Sequence, residues 1–334
     1  MSLRLAFFGT PALAVPCLER LLEGPHPVVA VVSQPDRRRG RGRKQSPSPV
    51  AELALRHEIP LLRPEQVGDP ASTEALAEQR PDLGVVVAFG QFIPKRIREL
   101  PALGYSINAH ASLLPRWRGA APIARAILAG DSRTGVSIMR VEREMDAGPV
   151  ARVRAIDIGP DETAGALSER IAQLAAELLA EAIDEIARGG VEWSPQDGTR
   201  ATLAPRLARS DAGLDWGEPA LALARRVRAL APKPGAFTLL DGEPLRILAA
   251  GTESAPVHVA PGTIRREHGL PLRIATGSGW LLPRVLQRAG GRALDVDAYL
   301  RGRDIPDGTQ LEPEPAASGP DQTRVGDASL DSGS

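Results

Sequence analysis

A single cysteine in 334 residues, Cys17, excludes an intramolecular disulfide and any zinc site built from cysteines. Within a helical stretch it reads as a core filler. His26, His57, His258 and His268 stand in unrelated segments without ligand spacing, so no metal is expected. Charge of one sign is lacking too. Lys and Arg total 41 against 41 for Asp and Glu, and no global field draws in nucleic acid. Aromatic residues make up 3%, which leaves little for base stacking. No apolar run approaches the ~20 residues of a membrane helix. The opening run Leu3–Phe8 is broken by Gly9-Thr10-Pro11, with Glu19-Arg20 close behind, unlike a secretory signal. The expectation is a cytoplasmic protein with no membrane partner, and a monomer. The G-x-G-x-x-G fingerprint is absent after that first run, which argues against a dinucleotide site.

What is present is 43% hydrophobic and 25% charged residues over a length that holds one large and one smaller domain. Apolar runs alternate with helical patterns through the first half. Leu3–Phe8 leads to Thr10 as helix N-cap, Pro11 in the first turn and a helix over about 11–22. Val28–Ser33 is β-branched, helices are expected near 49–57 and 70–79, and strands at 84–88 and near 104–108. A helix over 119–129, strands over 136–141 and 151–156, and a long helix over 161–188 stopped by Gly189-Gly190 complete the pattern. The expected fold is α/β, a Rossmann-like and mostly parallel sheet with helices on both faces. A linker runs from Pro195 to Pro205. Beyond a helix over 218–230, short β-like runs at 236–240, 245–249, 262–265, 272–276 and 280–285 suggest a small barrel. The tail from about 312, rich in Pro, Ser, Gly and Asp, reads as disordered.

Chemistry gathers at Ser106-Ile-Asn-Ala-His-Ala-Ser-Leu-Leu-Pro-Arg-Trp-Arg-Gly119 and at Met145-Asp146-Ala-Gly148. Asn108 and His110 are two residues apart, which in an extended segment sets both on one face. A carboxamide can stabilise a tetrahedral oxyanion, an imidazole can move a proton, and a carboxylate can fix the imidazole's tautomer. Those parts carry an acyl group between an amine and another nitrogen. Alone, Asn108 and Asp146 are ordinary turn residues and His110 an ordinary structural histidine; the long motif around them selects the catalytic reading. Elsewhere, Arg37, Arg38, Arg39, Arg41, Arg43 and Lys44 place six positive charges in eight positions. The run has two glycines and no aromatic residue, which suits a flexible loop tracking phosphates rather than stacking bases.

These segments resemble the formyl-tetrahydrofolate-dependent formyltransferases, and most of all the members that act on initiator Met-tRNA. The likeness rests on Asn108-Ala-His110, Ser112 through Pro122, Asp146, Phe8-Gly9-Thr10-Pro11, and the stretch from Gln34-Pro35-Asp36 to Val50. With weaker matches it spans roughly residues 3–305. Two positions depart from the family pattern: Ala111 stands where glycine is usual and Phe89 where tyrosine is commoner.

The resemblance implies 10-formyltetrahydrofolate as co-substrate and an initiator Met-tRNA as partner. It makes Asn108, His110 and Asp146 the catalytic set, with Asp146 orienting His110 or holding a relay water. It makes Ser112, Leu113, Leu114 and Pro115 a folate loop, with Phe89 and Gly90 as another wall of that pocket. Arg37–Lys44 would contact tRNA. Arg116 and Arg118 could serve folate carboxylate, tRNA phosphate or a structural ion pair. The implied organisation is a catalytic domain at 1–190, a linker at 191–206, an OB-like tRNA-binding domain at 207–311 and a tail at 312–334. A formyltransferase on a small amine or a formyl-tetrahydrofolate hydrolase would share the same three residues. A non-catalytic tRNA-binding protein on this fold is the competing reading of another class.

Overall fold

The computed structural model describes residues 1–39, 44–267 and 270–312. Seven strands form the first sheet: β1 (Leu5–Gly9), β2 (Val28–Val32), β5 (Leu61–Leu62), β6 (Leu83–Val87), β7 (Ser106–His110), β8 (Arg133–Arg140) and β9 (Val150–Asp157). Their order is β5-β2-β1-β6-β7-β8-β9. Pairing is parallel from β5 to β7 and antiparallel from β7 through β8 to β9. β1 and β6 are buried at every position because helices cover both faces, which is why they read as unbroken apolar runs. Alternation still decides which face each side chain takes. Leu5 and Phe7 join the core beneath α1 (Val15–Leu22), α2 (Pro49–Arg56), α5 (Pro122–Ala129) and α6 (Ala164–Arg188). Ala6 and Phe8 join the opposite core beneath α3 (Pro70–Glu78) and α4 (Lys95–Arg98). Each buried Leu or Phe contributes about 1.5–3 kcal/mol relative to exposure. Cys17 is one of these fillers, and burial pushes its thiol up to about 12.

Several helix ends follow local rules. Ser48 caps α2, Asp69 caps α3 and Thr163 caps α6, each accepting a main-chain N–H, and Gly189 closes α6 in the left-handed region. Thr10 does not. Its hydroxyl donates to Phe89 O and accepts from Gln34 N, and the chain passes through a short 3₁₀ turn before α1. A tertiary bond outcompetes the cap. α5 begins at Pro122, so Gly119–Ala121 is loop rather than helix. The basic segment also departs from the expected loop. β3 (Arg37–Arg39) and β4 (Lys44–Ser46) pair antiparallel, while Arg41 and Arg43 lie outside the described residues.

A second core lies beyond the connecting segment. It packs α7 (Ala220–Leu230) and α8 (Val296–Gly302) against β10 (Ala236–Leu240), β11 (Glu243–Glu253), β12 (Ile264–Arg265), β13 (Arg273–Ala275), β14 (Trp280–Arg288) and β15 (Leu294–Asp295). The sheet order is β10-β11-β14-β13-β12, with β15 on β14. Residues 309–312 bond both edges of the sheet, Thr309 O accepting from Ile264 N of β12 and Glu312 N donating to Leu239 O of β10. Glu312 therefore belongs to this sheet and not to the tail; the expected disorder at 313–334 lies outside the described residues. Among the described residues no helix is long and apolar enough to cross a membrane.

Candidate active site

Parallel strands β1, β2, β6 and β7 end at one edge of the sheet, where open α/β sheets form ligand crevices. A cavity of about 920 Å³ opens there and takes in Phe89, Gly90, Asn108, His110 and Asp146. The two β7 residues share a face through their spacing, Asn108 opposite Val86 and Met139, His110 opposite Ser137. Asp146 arrives from the β8–β9 connection.

His110 is 6% exposed. Its Nε2 stands 2.9 Å from Trp117 O, and its Nδ1 3.5 Å from Asp146 Oδ2. Both neighbours are acceptors, so the protonated ring satisfies both and the neutral ring only one. The 3.5 Å separation is long for a hydrogen bond, as catalytic contacts often are before substrate arrives. Asp146 Oδ2 also accepts the Gly119 N–H at 2.8 Å. Its other oxygen has no hydrogen-bond partner among the described residues, and neither has the half-buried Asn108 carboxamide. Among the same residues no group of three or more His, Cys, Asp or Glu is arranged to hold a metal.

Three non-glycine residues at and beside this wall are left-handed: Ala88, Trp117 and Asp146, at φ 47°, 62° and 51°. Each such residue costs about 1–3 kcal/mol and persists where its surroundings hold it. Gly119 has φ 124°, and a Cβ there would stand 2.7 Å from Ala204 O. Gly119→Ala is therefore expected to cost about 1–3 kcal/mol, read as a lower Tm, and to move the N–H away from Asp146, read as a lower kcat. An unchanged Tm would contradict this packing.

Phe89 is 2% exposed and packs edge-on against Phe8, so its ring belongs to the core behind the cavity. Gly90 and the exposed Phe92 form the open surface there. The expected folate loop stands elsewhere. Ser112, Leu113, Leu114 and Pro115 are not part of the cavity wall. Ser137 Oγ donates to Ser112 O and accepts from Leu114 N, and Ser112 Oγ donates to Arg116 O. These bonds engage Ser112 O, Ser112 Oγ and Leu114 N within the protein itself. A Cβ on Gly135 would meet Leu113 Cδ2 at 2.6 Å, so that leucine covers β8. The turn shapes the return from His110 to Trp117. Arg116 pairs with Asp131, and Arg118 contacts Gln196 and Glu144.

Sequence reading missed the ties that align these loops. Thr10 joins the ends of β1, β2 and β6. Gln34 Nε2 donates to Phe89 O while its Oε1 accepts from Arg37, linking the basic hairpin to the cavity wall. Arg206 at the end of the connecting segment and Leu207, Ala229 and Lys233 of the second lobe supply another side of the cavity. Arg206 and Lys233 have no carboxylate partner among the described residues. Nearby, Arg125 and Asp211 clamp α5 to the chain entering that lobe. Burial alone would raise the Asp211 carboxyl; the Ala208 N–H and Arg125 outweigh it and hold it below the usual range.

Residues 3–183 match the family model "Formyl transferase", and residues 206–304 match "Formyl transferase, C-terminal domain". A methionyl-tRNA formyltransferase of Roseiflexus castenholzii is 43% identical over 312 residues, 93% of this chain and 99% of that protein. One from Halorhodospira halophila is also 43% identical over 312 residues, 93% of this chain and 100% of its own. Among solved structures, HypX from Aquifex aeolicus in complex with tetrahydrofolic acid matches 90% of this chain with a TM-score of 0.62 at 19% identity. This chain spans about half of that protein, 47%. An N-formyltransferase from Helicobacter canadensis, in complex with folinic acid and dTDP-3-aminofucose, has a TM-score of 0.62 at 16% identity, over 86% of this chain and 99% of that one. The two structural likenesses concern the fold.

Proposed function

This chain belongs to the formyl transferase family, and we propose that it moves the formyl group of 10-formyltetrahydrofolate to the α-amino group of methionyl initiator tRNA. The observation that carries this reading is the meeting of Asn108, His110 and Asp146 in one cavity that continues to the second lobe. Relatives named for the same activity, 43% identical across nearly their whole length, support it. Residues 1–190 act as the catalytic part, 191–206 connect, and 207–311 help hold the tRNA.

The residues fit a reduced folate. Gly90, Ile93 and Val141 give an apolar surface for a flat ring, and the side-chain-free Gly90 at φ 85° lets it approach the main chain. When bound, the folate supplies an activated formyl group on N10. Asn108 donates to the formyl oxygen as negative charge develops there. The amine nitrogen forms a bond to the formyl carbon, the carbon–N10 bond breaks, one amine proton leaves and N10 gains one. His110 moves the proton. Asp146 keeps the ring oriented, and its other oxygen, unpaired among the described residues, is left for the amine or a water.

A small-amine formyltransferase and a hydrolase would use the same three residues. Arg206 and Lys233 at the cavity rim, without an ion pair among the described residues, and the basic hairpin tied to its wall favour a large polyanion. Labelled formyl is expected to pass from 10-formyltetrahydrofolate into Met-tRNA at turnover rates, with little transfer to small amines. Formate release without transfer, or formylation of only the small amine, would sink the tRNA assignment.

Replacing Arg37–Lys44 with neutral residues should raise KM for tRNA and flatten its salt dependence, by a little under about one unit of log–log slope for each phosphate no longer neutralised. Kinetics across a salt series check this. An unchanged slope would make the hairpin a solvated surface element.

A further inference from the structure

Gln196 lies in the segment joining the two lobes, 50 residues after Asp146 in the chain, yet its carboxamide nitrogen is used up on the Asp146 loop. Nε2 donates to Asp146 O and to Gly148 O, both at 2.8 Å. Oε1 accepts from Arg118 Nε at 3.1 Å and Nη2 at 2.9 Å. Carbonyls only accept and a guanidinium only donates, so a single amide orientation satisfies all four bonds.

The surroundings fix that clamp. Arg118 is 9% exposed, and its main chain is bonded to the same segment, N to Thr202 O at 2.8 Å and O from Ala204 N at 2.7 Å. Thr202 Oγ1 also accepts from Trp117 N, next to the carbonyl that meets His110. Asp146 therefore has two anchors. Gly119 N–H holds its carboxylate, and Gln196 holds the main chain that turns through the left-handed region beneath it. A residue at positive φ keeps that geometry only while its neighbours enforce it.

We infer that Gln196 is a positioning residue: it touches no reacting atom and sets where the Asp146 carboxylate stands against His110. The kinetic consequence rests on the roles given above to those two residues; the geometric one does not. Gln196→Met keeps the length and loses both donors. Gln196→Glu keeps a partner for Arg118 and turns a carboxylate oxygen on two carbonyls.

Both variants are expected to lower kcat for Met-tRNA formylation by about 10- to 100-fold. KM for either substrate should stay within about twofold. In an Asp146→Asn background, Gln196→Met should cost less than about threefold, because its effect runs through that carboxylate. A second readout needs no activity. In ¹H–¹⁵N spectra of the full chain, the His110 ring signals should move in Gln196→Met while those of His26, paired with Asp184, stay in place. Equal kcat losses in the two backgrounds, a KM effect without a kcat effect, or unmoved His110 signals would overturn the inference. If Gln196→Met fails to fold, Gln196→Glu carries the same readouts. If the wild type formylates nothing, the functional reading fails and the ring signals alone decide the role of Gln196.

Discussion

Replacing His110 with alanine lowers formyl transfer to Met-tRNA by about 10²–10⁴-fold, the range for a positioned acid–base group, while tRNA binding survives. The ring closes the end of β7, held between Trp117 O and Asp146. Alanine removes the group proposed to move the proton between amine and folate nitrogen. It also leaves Asp146 with only the Gly119 N–H among its side-chain partners. The basic hairpin and the second lobe, proposed above to hold the tRNA, are untouched. Rapid-quench kinetics and equilibrium tRNA binding measured on the same preparation test this. Loss of both together would make His110 a structural residue, and retained turnover would remove it from the mechanism. Survival of binding without turnover also separates an enzyme from a tRNA-binding protein on the same fold.

Asn108→Ala is expected to lower kcat by about 10²–10³-fold, the usual cost of losing one donor to an oxyanion. The carboxamide has no protein partner among the described residues, so its hydrogen-bonding capacity is free for the substrate. Stability should change little for the same reason, since no internal bond is broken. Asn108→Asp should be at least as slow, because it sets a negative charge where negative charge develops. Combining Asn108→Ala with His110→Ala should cost less than the product of the single losses, as expected for groups acting as one unit. Full multiplication of the two effects, or a change confined to KM, would contradict the oxyanion role.

The meeting of Asn108, His110 and Asp146 in one cavity was legible where it was local. Two residues of β7 share a face by their spacing alone, and the long motif around them drew in Asp146. Elements with strong periodicity were equally readable: α2, α3, α6 and the short strands of the second lobe stand near their expected places. What escaped were bonds between residues far apart in sequence. Thr10 looks like a cap because capping is a local rule, yet Phe89, 79 residues away, holds its hydroxyl. Ser112–Pro115 reads as a ligand loop, yet it lies off the cavity wall and Ser137, from the next strand, takes up Ser112 O and Leu114 N. The antiparallel turn of the sheet at β7–β8 and the pairing of β3 with β4 likewise depend on partners that no periodicity announces. Gln196 has no local signature at all; its four bonds exist only because the connecting segment folds back over the Asp146 loop.

The most direct test is a single-turnover experiment with enzyme preloaded with 10-formyltetrahydrofolate and mixed with Met-tRNA, comparing the wild type with Asp146→Asn. The wild type should deliver one formyl group per active site to the tRNA amine. Asp146→Asn should bind both substrates with similar affinity and transfer at least about 100-fold more slowly. Equal transfer rates in the two proteins, or label recovered as formate rather than on the tRNA, would contradict the assignment of this cavity to formyl transfer.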